Sequence, residues 1–411
     1  MMGSHTYTLE KGEVSVFRTP TRRELWEAVD RMLAAHSTLL PDSREALILI
    51  KPNLNSDLNS LMGNSTDLRL MAAVLTSLVE RGYSNIVIAD GCNVGVLRRG
   101  IDVIGRLRID RLAARFGART LDLNRAPGRQ ITFADGHPAL IAEICSDADL
   151  CISLPKIKMH SDADMSCAVK NMVGCLVGRA SKKALHRDLT GNLVRLYELV
   201  KPHLHIVDGL VAMEGNGPGD GTPKRLDAIL AGTDALAVDL VVSHLVGYEP
   251  QQVRFLARSL EKGYLGSGDV EALADIPRGW LLEKPPPKTR LAEVLSHPVF
   301  NRPKDLLRPI HSTRIAMNLL YKAGLIQDIY DERDASVTLR FDAGRCEGSG
   351  RCREICPVGL DPTCEGALSG VECIGCLYCY FVCPSEAIHL EGELGFLERQ
   401  IDRYGAMIRS L

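Results

Sequence analysis

At 411 residues the chain is long enough for two or three domains, each able to bury its own core. Its 49 Lys/Arg and 51 Asp/Glu leave a net charge of -2, which gives no electrostatic case for nucleic acid. With 45% apolar residues but only 5% aromatic, the interior is expected to pack on Ala, Leu and Val, and no window approaches the roughly eighteen apolar residues of a membrane span. Since the N-terminus also lacks a charged segment leading into an apolar one, a cytoplasmic protein without membrane contact is expected.

In chain order, the capping box Thr21-x-x-Glu24 opens a helix with Leu25, Val29, Met32 and Leu33 on one face. Short apolar runs then alternate with helical patterns. Strands are predicted at Ala46 to Ile50, Asn85 to Ala89, Leu150 to Leu154, Leu204 to Val207 and Ala228 to Ala231. Helices are predicted from Leu68 to Arg81, stopped by Gly82, and from Ile101 to Phe116, stopped by Gly117. This alternation implies an α/β body over residues 12–276, a doubly wound and mostly parallel sheet.

Ligands of open α/β sheets bind beyond the carboxyl ends of the strands. The runs here end in Lys51-Pro52-Asn53, Asp90-Gly91, Pro155-Lys156-Ile157-Lys158-Met159-His160 and Asp208-Gly209. Lys51, Lys156 and Lys158 are therefore expected near one rim, with Lys170 and Asn171 close by. Several ammonium groups in one cleft would bind a small anionic substrate or lower the pKa of one lysine for acid/base work. His160 shares the loop of Lys156 and Lys158. Asp90 and Asp208 fit turn-forming residues as well as cleft carboxylates. Glu214-Gly-Asn-Gly-Pro-Gly-Asp-Gly221 matches neither a dinucleotide nor a P-loop spacing, and no nucleotide site is read from it.

Taken together, Lys51-Pro-Asn-Leu54, Pro155-Lys156-x-Lys158-x-His160, Val169-Lys170-Asn171-x-x-Gly174, Asp208-Gly209, Glu214-Gly-x-Gly-Pro-x-x-Gly221 and Thr233-Asp234-x-x-Ala237-x-Asp239 resemble the domain of unknown function numbered 362, over about residues 45–250. The resemblance implies an architecture and a site rather than a reaction, and implies that a C-terminal ferredoxin domain often follows. Cys167 stands where the pattern leads one to expect a small hydroxylated residue.

Residues 277–335 read as a connector with Pro285-Pro286-Pro287 and a helix from Thr313 to Leu325. From Pro277 to Leu325 it carries nine Lys/Arg against three Asp/Glu, a charge suited to an acidic redox partner such as a ferredoxin or flavodoxin, or simply to a solvated linker.

Eight of the thirteen cysteines fall between 346 and 383. Cys373, Cys376, Cys379 and Cys383 followed by Pro384 spell C-x2-C-x2-C-x3-C-P, in which three thiolates wrap one cubane and the fourth ligates the other cluster. The first copy runs Cys346, Ser349, Cys352, Cys356, Pro357, with serine at the second ligand position. By the crossed-ligand rule Cys356, Cys373, Cys376 and Cys379 make one complete [4Fe-4S] site, while Cys346, Cys352 and Cys383 make a site one thiolate short, either [4Fe-4S] or [3Fe-4S]. Ser349 or Cys364 could fill the gap, or the corner could stay open.

Zinc knuckles are the rival reading, although zinc has no need of two C-P turns. Alternation in Val337 to Phe341 and Ala387 to Leu390 places a strand on either side. Residues 336–392 thus resemble a bacterial two-cluster ferredoxin domain, followed by a C-terminal helix over 393–411.

Three functions follow. The first is a cytoplasmic iron-sulfur oxidoreductase passing single electrons to a small anionic or carbonyl-bearing substrate held by Lys51, Asn53, Lys156, Lys158 and Lys170. The second is a lyase or sulfur-transfer enzyme using the incomplete cluster. The third is an electron carrier or binding module without catalysis. Lys51 and Lys156 separate them: an open lysine cleft favours an enzyme, and burial in ion pairs favours the carrier.

Overall fold

In the computed structural model, residues 4–287 and 330–411 are described. The chain begins with a hairpin of Ser4–Leu9 (β1) and Gly12–Arg18 (β2), in which Leu9 pairs with Gly12. The helix Arg22–Ala35 follows with the expected capping box, and it buries Leu25, Val29, Met32 and Leu33.

The parallel core is built from Ile48–Pro52 (β3), Ile86–Asp90 (β4), Arg119–Asp122 (β5) and, after the small hairpin of Gly128–Thr132 (β6) and Pro138–Ala142 (β7), Leu150–Leu154 (β8). Strands β3, β4 and β8 are buried along their whole length, as a sheet covered on both faces requires. Side-chain alternation then divides the core. Ile48, Ile50, Ile86 and Ile88 face the helices Arg22–Ala35 and Leu68–Glu80, while Leu49, Val87, Ala89 and Cys151 face Met172, Leu176, Leu185 and Leu196.

Lys156–His160 (β9), Asp164–Ser166 (β10), Leu204–Asn216 (β11) and Asp220–Gly232 (β12) complete the body. The main sheet runs β1-β2-β12-β11-β8-β3-β4-β5. It is parallel from β11 through β5 and antiparallel from β11 outward to β1. The fold is thus mixed α/β with a mostly parallel central sheet. The runs expected at Leu204 to Val207 and Ala228 to Ala231 are pieces of one long antiparallel hairpin, whose tip is the glycine-rich loop.

One expected helix is broken. Ile101 to Phe116 forms two short helices, Val103–Arg106 and Ile109–Arg115, because Arg108 takes a left-handed φ of 62° between them. Periodicity cannot reveal such a break, since both halves keep their apolar residues inward.

Ser336–Phe341 (β13) pairs antiparallel with Ile388–Glu393 (β14), and the helix Leu397–Ser410 closes the chain. Ile374, Leu377, Tyr378, Phe381, Phe396 and Tyr404 belong to the same apolar core as Leu25, Leu61 and Leu68 of the body. Burial of a side chain such as Phe381 contributes about 1.5–3 kcal/mol, so the cysteine segment is packed onto the body rather than tethered beside it. The helix expected from Thr313 to Leu325 and most of the basic connector lie outside the described residues.

Candidate functional site

The strand-end lysines do converge, but inside the protein. Lys51, the penultimate residue of β3, is fully buried; its Nζ donates to Asp90 Oδ1 at 2.6 Å, to the Pro52 carbonyl at 2.9 Å and to Asn171 Oδ1 at 3.2 Å. Burial is the strongest single influence and opposes its charge, yet Asp90 together with the neighbouring thiols of Cys175 and Cys145 holds the lysine above its ordinary pKa. The other Asp90 oxygen accepts the Leu54 N–H at 2.6 Å. Gly174 lies so close that a Cβ there would stand 1.9 Å from Asp90 Oδ1, which explains glycine in the Val169-to-Gly174 motif.

A second pair sits one strand away. Lys156, also fully buried, donates to Asp208 Oδ2 at 2.8 Å, and the same oxygen accepts the Asp67 N–H at 2.6 Å. Asp67 in turn is held by Arg69 at 2.8 Å. Burial raises the Asp208 pKa against the pull of Lys156. Both lysines are thus neutralised by carboxylates, and the expected open cleft of free ammonium groups is not formed by them.

Lys158 reaches Asn53 Oδ1 at 2.8 Å and the Asn64 carbonyl at 2.7 Å, while Asn53 Nδ2 donates to Asn171 Oδ1 at 3.1 Å. Lys51, Asn53, Lys158 and Asn171 are therefore one bonded chain. His160 is buried, and its Nδ1 receives the Asp162 N–H at 3.0 Å.

Lys170 differs from these. It is half-buried, none of the hydrogen bonds or ion pairs among the described residues involves its ammonium, and burial lowers its pKa to about 8 against the weaker pull of Asp162. Nearby His186 keeps solvent access, although burial and then the charge of Lys170 lower its pKa.

One polar group escaped sequence reading. Lys182 is buried and donates to the Gly91 and Cys92 carbonyls and to Asn124 Oδ1, at 2.9, 2.6 and 2.5 Å; burial lowers its pKa to about 8. Its position inside a helix gave no signal. Asp239 caps the short helix Ala168–Asn171 by accepting the Ala168 and Val169 N–H groups at 2.6 and 2.9 Å, and its side chain also bonds Cys167. Cys167 is therefore a packed partner of Asp239, whose pKa burial raises to about 7.

The C-terminal cysteines sort across their two motifs. Cys383, from the second motif, lines a cavity of about 160 Å³ with Cys346, Ser349 and Cys352 of the first. Conversely Cys356, from the first motif, lies within electrostatic reach of Cys376 and Cys379, and Cys352 also lies within reach of Cys379. Burial first, and then these neighbouring thiols, push Cys376 and Cys379 up as free thiols. Each C-P turn has the same internal bond: the Leu360 N–H donates to the Cys356 sulfur at 3.3 Å, and the Ala387 N–H to the Cys383 sulfur at 3.2 Å, four residues on in both cases. Cys364 is exposed and is absent from the cavity wall. Among the described residues no three His, Cys, Asp or Glu side chains close on one point as a single metal ion requires.

The loop Cys373–Cys379 is bonded to the body. Asn59 Nδ2 donates to the Cys376 carbonyl at 2.9 Å, and the Leu68 N–H donates to the Tyr378 hydroxyl at 3.0 Å. The helix break at Arg108 turns Arg108 and Arg111 toward Gly375, and Arg111 donates to the Ile374 carbonyl at 3.5 Å. This cationic flank is the second feature that sequence reading missed.

No helix among the described residues is long and apolar enough to cross a membrane. A thylakoid-associated protein of Synechocystis sp. is 30% identical over 187 residues, 44% of this chain and 57% of that protein, so the chain spans little more than half the length of this curated relative. Among solved structures, the lactate racemase apoprotein of Thermoanaerobacterium thermosaccharolyticum is similar with a TM-score of 0.35 at 11% identity, covering 59% of this chain and 62% of that one. A Thermotoga maritima protein gives 0.29 at 11% identity, covering 50% and 54%. Residues 48–244, which hold the parallel core and every strand-end lysine, match the family model described as domain of unknown function (DUF362).

Proposed function

We propose that the chain is an iron-sulfur electron-transfer protein, in which Cys356, Cys373, Cys376 and Cys379 hold one [4Fe-4S] cluster and Cys346, Cys352 and Cys383 hold a second, [4Fe-4S] or [3Fe-4S]. The observation that carries this reading is the exchange of Cys356 and Cys383 between motifs, which a pair of independent zinc knuckles does not need. Bound clusters would supply one-electron chemistry. The protein's own residues would tune it: the two N–H···S bonds and the Arg108/Arg111 flank favour the more negative, reduced state.

The burial of Lys51 and Lys156 in ion pairs shifts the balance from an enzyme with a lysine-lined cleft toward a carrier whose body orients the cluster loops. Anaerobic reconstitution with iron and sulfide tests the proposal. Sulfide and iron in amounts matching two clusters per chain, with visible absorption that bleaches on reduction by dithionite, support it. A chain that binds zinc and takes up no sulfide refutes it.

A second reading, an oxidoreductase acting on a small anionic or carbonyl-bearing substrate, is favoured by Lys170 alone, whose ammonium has no bonded partner among the described residues and whose pKa lies near 8. Protection of Lys170 from acylation by acetate or inorganic phosphate supports an anion site there. Identical labelling with and without these anions removes it.

A further inference from the structure

We propose that Asp361 supplies the oxygen ligand that completes the thiolate-poor cluster site of Cys346, Cys352 and Cys383. This rests on the cluster reading above and deepens it at one corner. The cavity holding those three cysteines is also lined by Ser349, Arg353, Asp361 and Thr363. A turn closed by the Cys364 N–H on the Asp361 carbonyl at 3.1 Å sets Asp361 and Thr363 on the cavity wall and leaves Cys364 exposed. The thiol nearest in sequence is therefore on the wrong side of its own turn.

The Asp361 carboxylate is held as a ligand needs to be held. Its Oδ1 accepts both the Thr363 N–H at 3.0 Å and the Thr363 hydroxyl at 2.7 Å, which fixes the plane of the group. Among the described residues its Oδ2 is engaged only at 3.6 Å, by Arg353, another residue of the cavity wall. One oxygen is thus anchored and the other is available. Glu347 and Ser349 also reach the wall, but both are exposed and no hydrogen bond among the described residues orients either of them; the neutral hydroxyl of Ser349 is in addition a poorer donor to iron than a carboxylate. Asp361 remains attached to the first motif through the short segment after Cys356, whose sulfur accepts the Leu360 N–H and fixes where that segment begins.

The full-length chain, reconstituted anaerobically with iron and sulfide, provides the test, with iron content and EPR before and after dithionite as readouts. Wild type is expected to hold two four-iron clusters. Asp361→Asn is expected to lose one iron per chain and to show the near-isotropic signal of an oxidised three-iron cluster, while Ser349→Ala and Cys364→Ala match wild type. Asp361→Cys is expected to keep both four-iron clusters, with a changed signal for one of them, which separates ligand loss from misfolding. The assignment is overturned if Asp361→Asn matches wild type, if Ser349→Ala or Cys364→Ala loses the iron instead, or if wild type already carries a three-iron cluster. Absence of any cluster in wild type overturns the cluster reading itself, a different outcome from the failure of Asp361 alone.

Discussion

The backbone N–H of Leu68 donates to the hydroxyl of Tyr378 at 3.0 Å, joining the first turn of a body helix to a residue lying between Cys376 and Cys379. Asp67, immediately before Leu68, bonds Asp208, the partner of Lys156. The cysteine loop and the lysine pair are therefore two bonds apart through one stretch of backbone. Tyr378→Phe removes the acceptor and leaves a buried N–H unsatisfied, an expected loss of about 1–3 kcal/mol. Urea unfolding measures it, and faster hydrogen exchange at Leu68 identifies the place.

Lys51 and Asp90 behave as a structural pair. Lys51→Met leaves a buried carboxylate uncompensated and is expected to destabilise the protein by about 3–5 kcal/mol. Gly174→Ala drives a methyl group into the same pair and is expected to destabilise as well, by roughly 1–3 kcal/mol. A Lys51→Met variant as stable as wild type in denaturant titration contradicts the burial of the pair.

Lys170 gives a pH signature of the opposite kind. Its folded pKa, lowered to about 8, lies below the ordinary 10.5, so neutral amine appears as pH rises through about 8. Acylation of Lys170, followed by peptide mass spectrometry, is expected to rise with a midpoint near that pH. Between about 8 and 10.5 the unfolded chain binds more protons at this site than the native one, so its contribution makes stability increase with pH there. Lys170→Met is expected to flatten that rise, and an unchanged slope counts against the shift.

Arg108 and Arg111 flank the loop of Cys373 to Cys379. Replacing either with Met removes a positive charge that favours the reduced state, so the potential of that cluster is expected to fall while the other changes less. Redox titration monitored by EPR reports both. Equal shifts in the two clusters remove the local assignment.

Much of this was legible because local chemistry and global fold agree. The capping box at Thr21, the buried strands β3, β4 and β8, and the strand pair around the cysteine loops carry their patterns openly. The lysines stand at strand ends as the sequence reads, but residue order does not record burial: whether Lys51 meets water or Asp90 depends on a strand 39 positions away. Lys182 and Asp361 were silent for the same reason, since a helix-face lysine and a turn aspartate look ordinary until the chain folds around them. The break at Arg108 was hidden by an apolar rhythm that continues through it.

The most direct test of the central claim is iron content and EPR of Cys383→Ala, prepared anaerobically beside wild type. If the motifs exchange ligands, this variant loses the cluster signal of Cys346 and Cys352, the cysteines of the other motif, and keeps that of its own neighbours Cys373, Cys376 and Cys379. Loss of the cluster held by Cys373, Cys376 and Cys379, with the Cys346 and Cys352 site intact, would contradict the account.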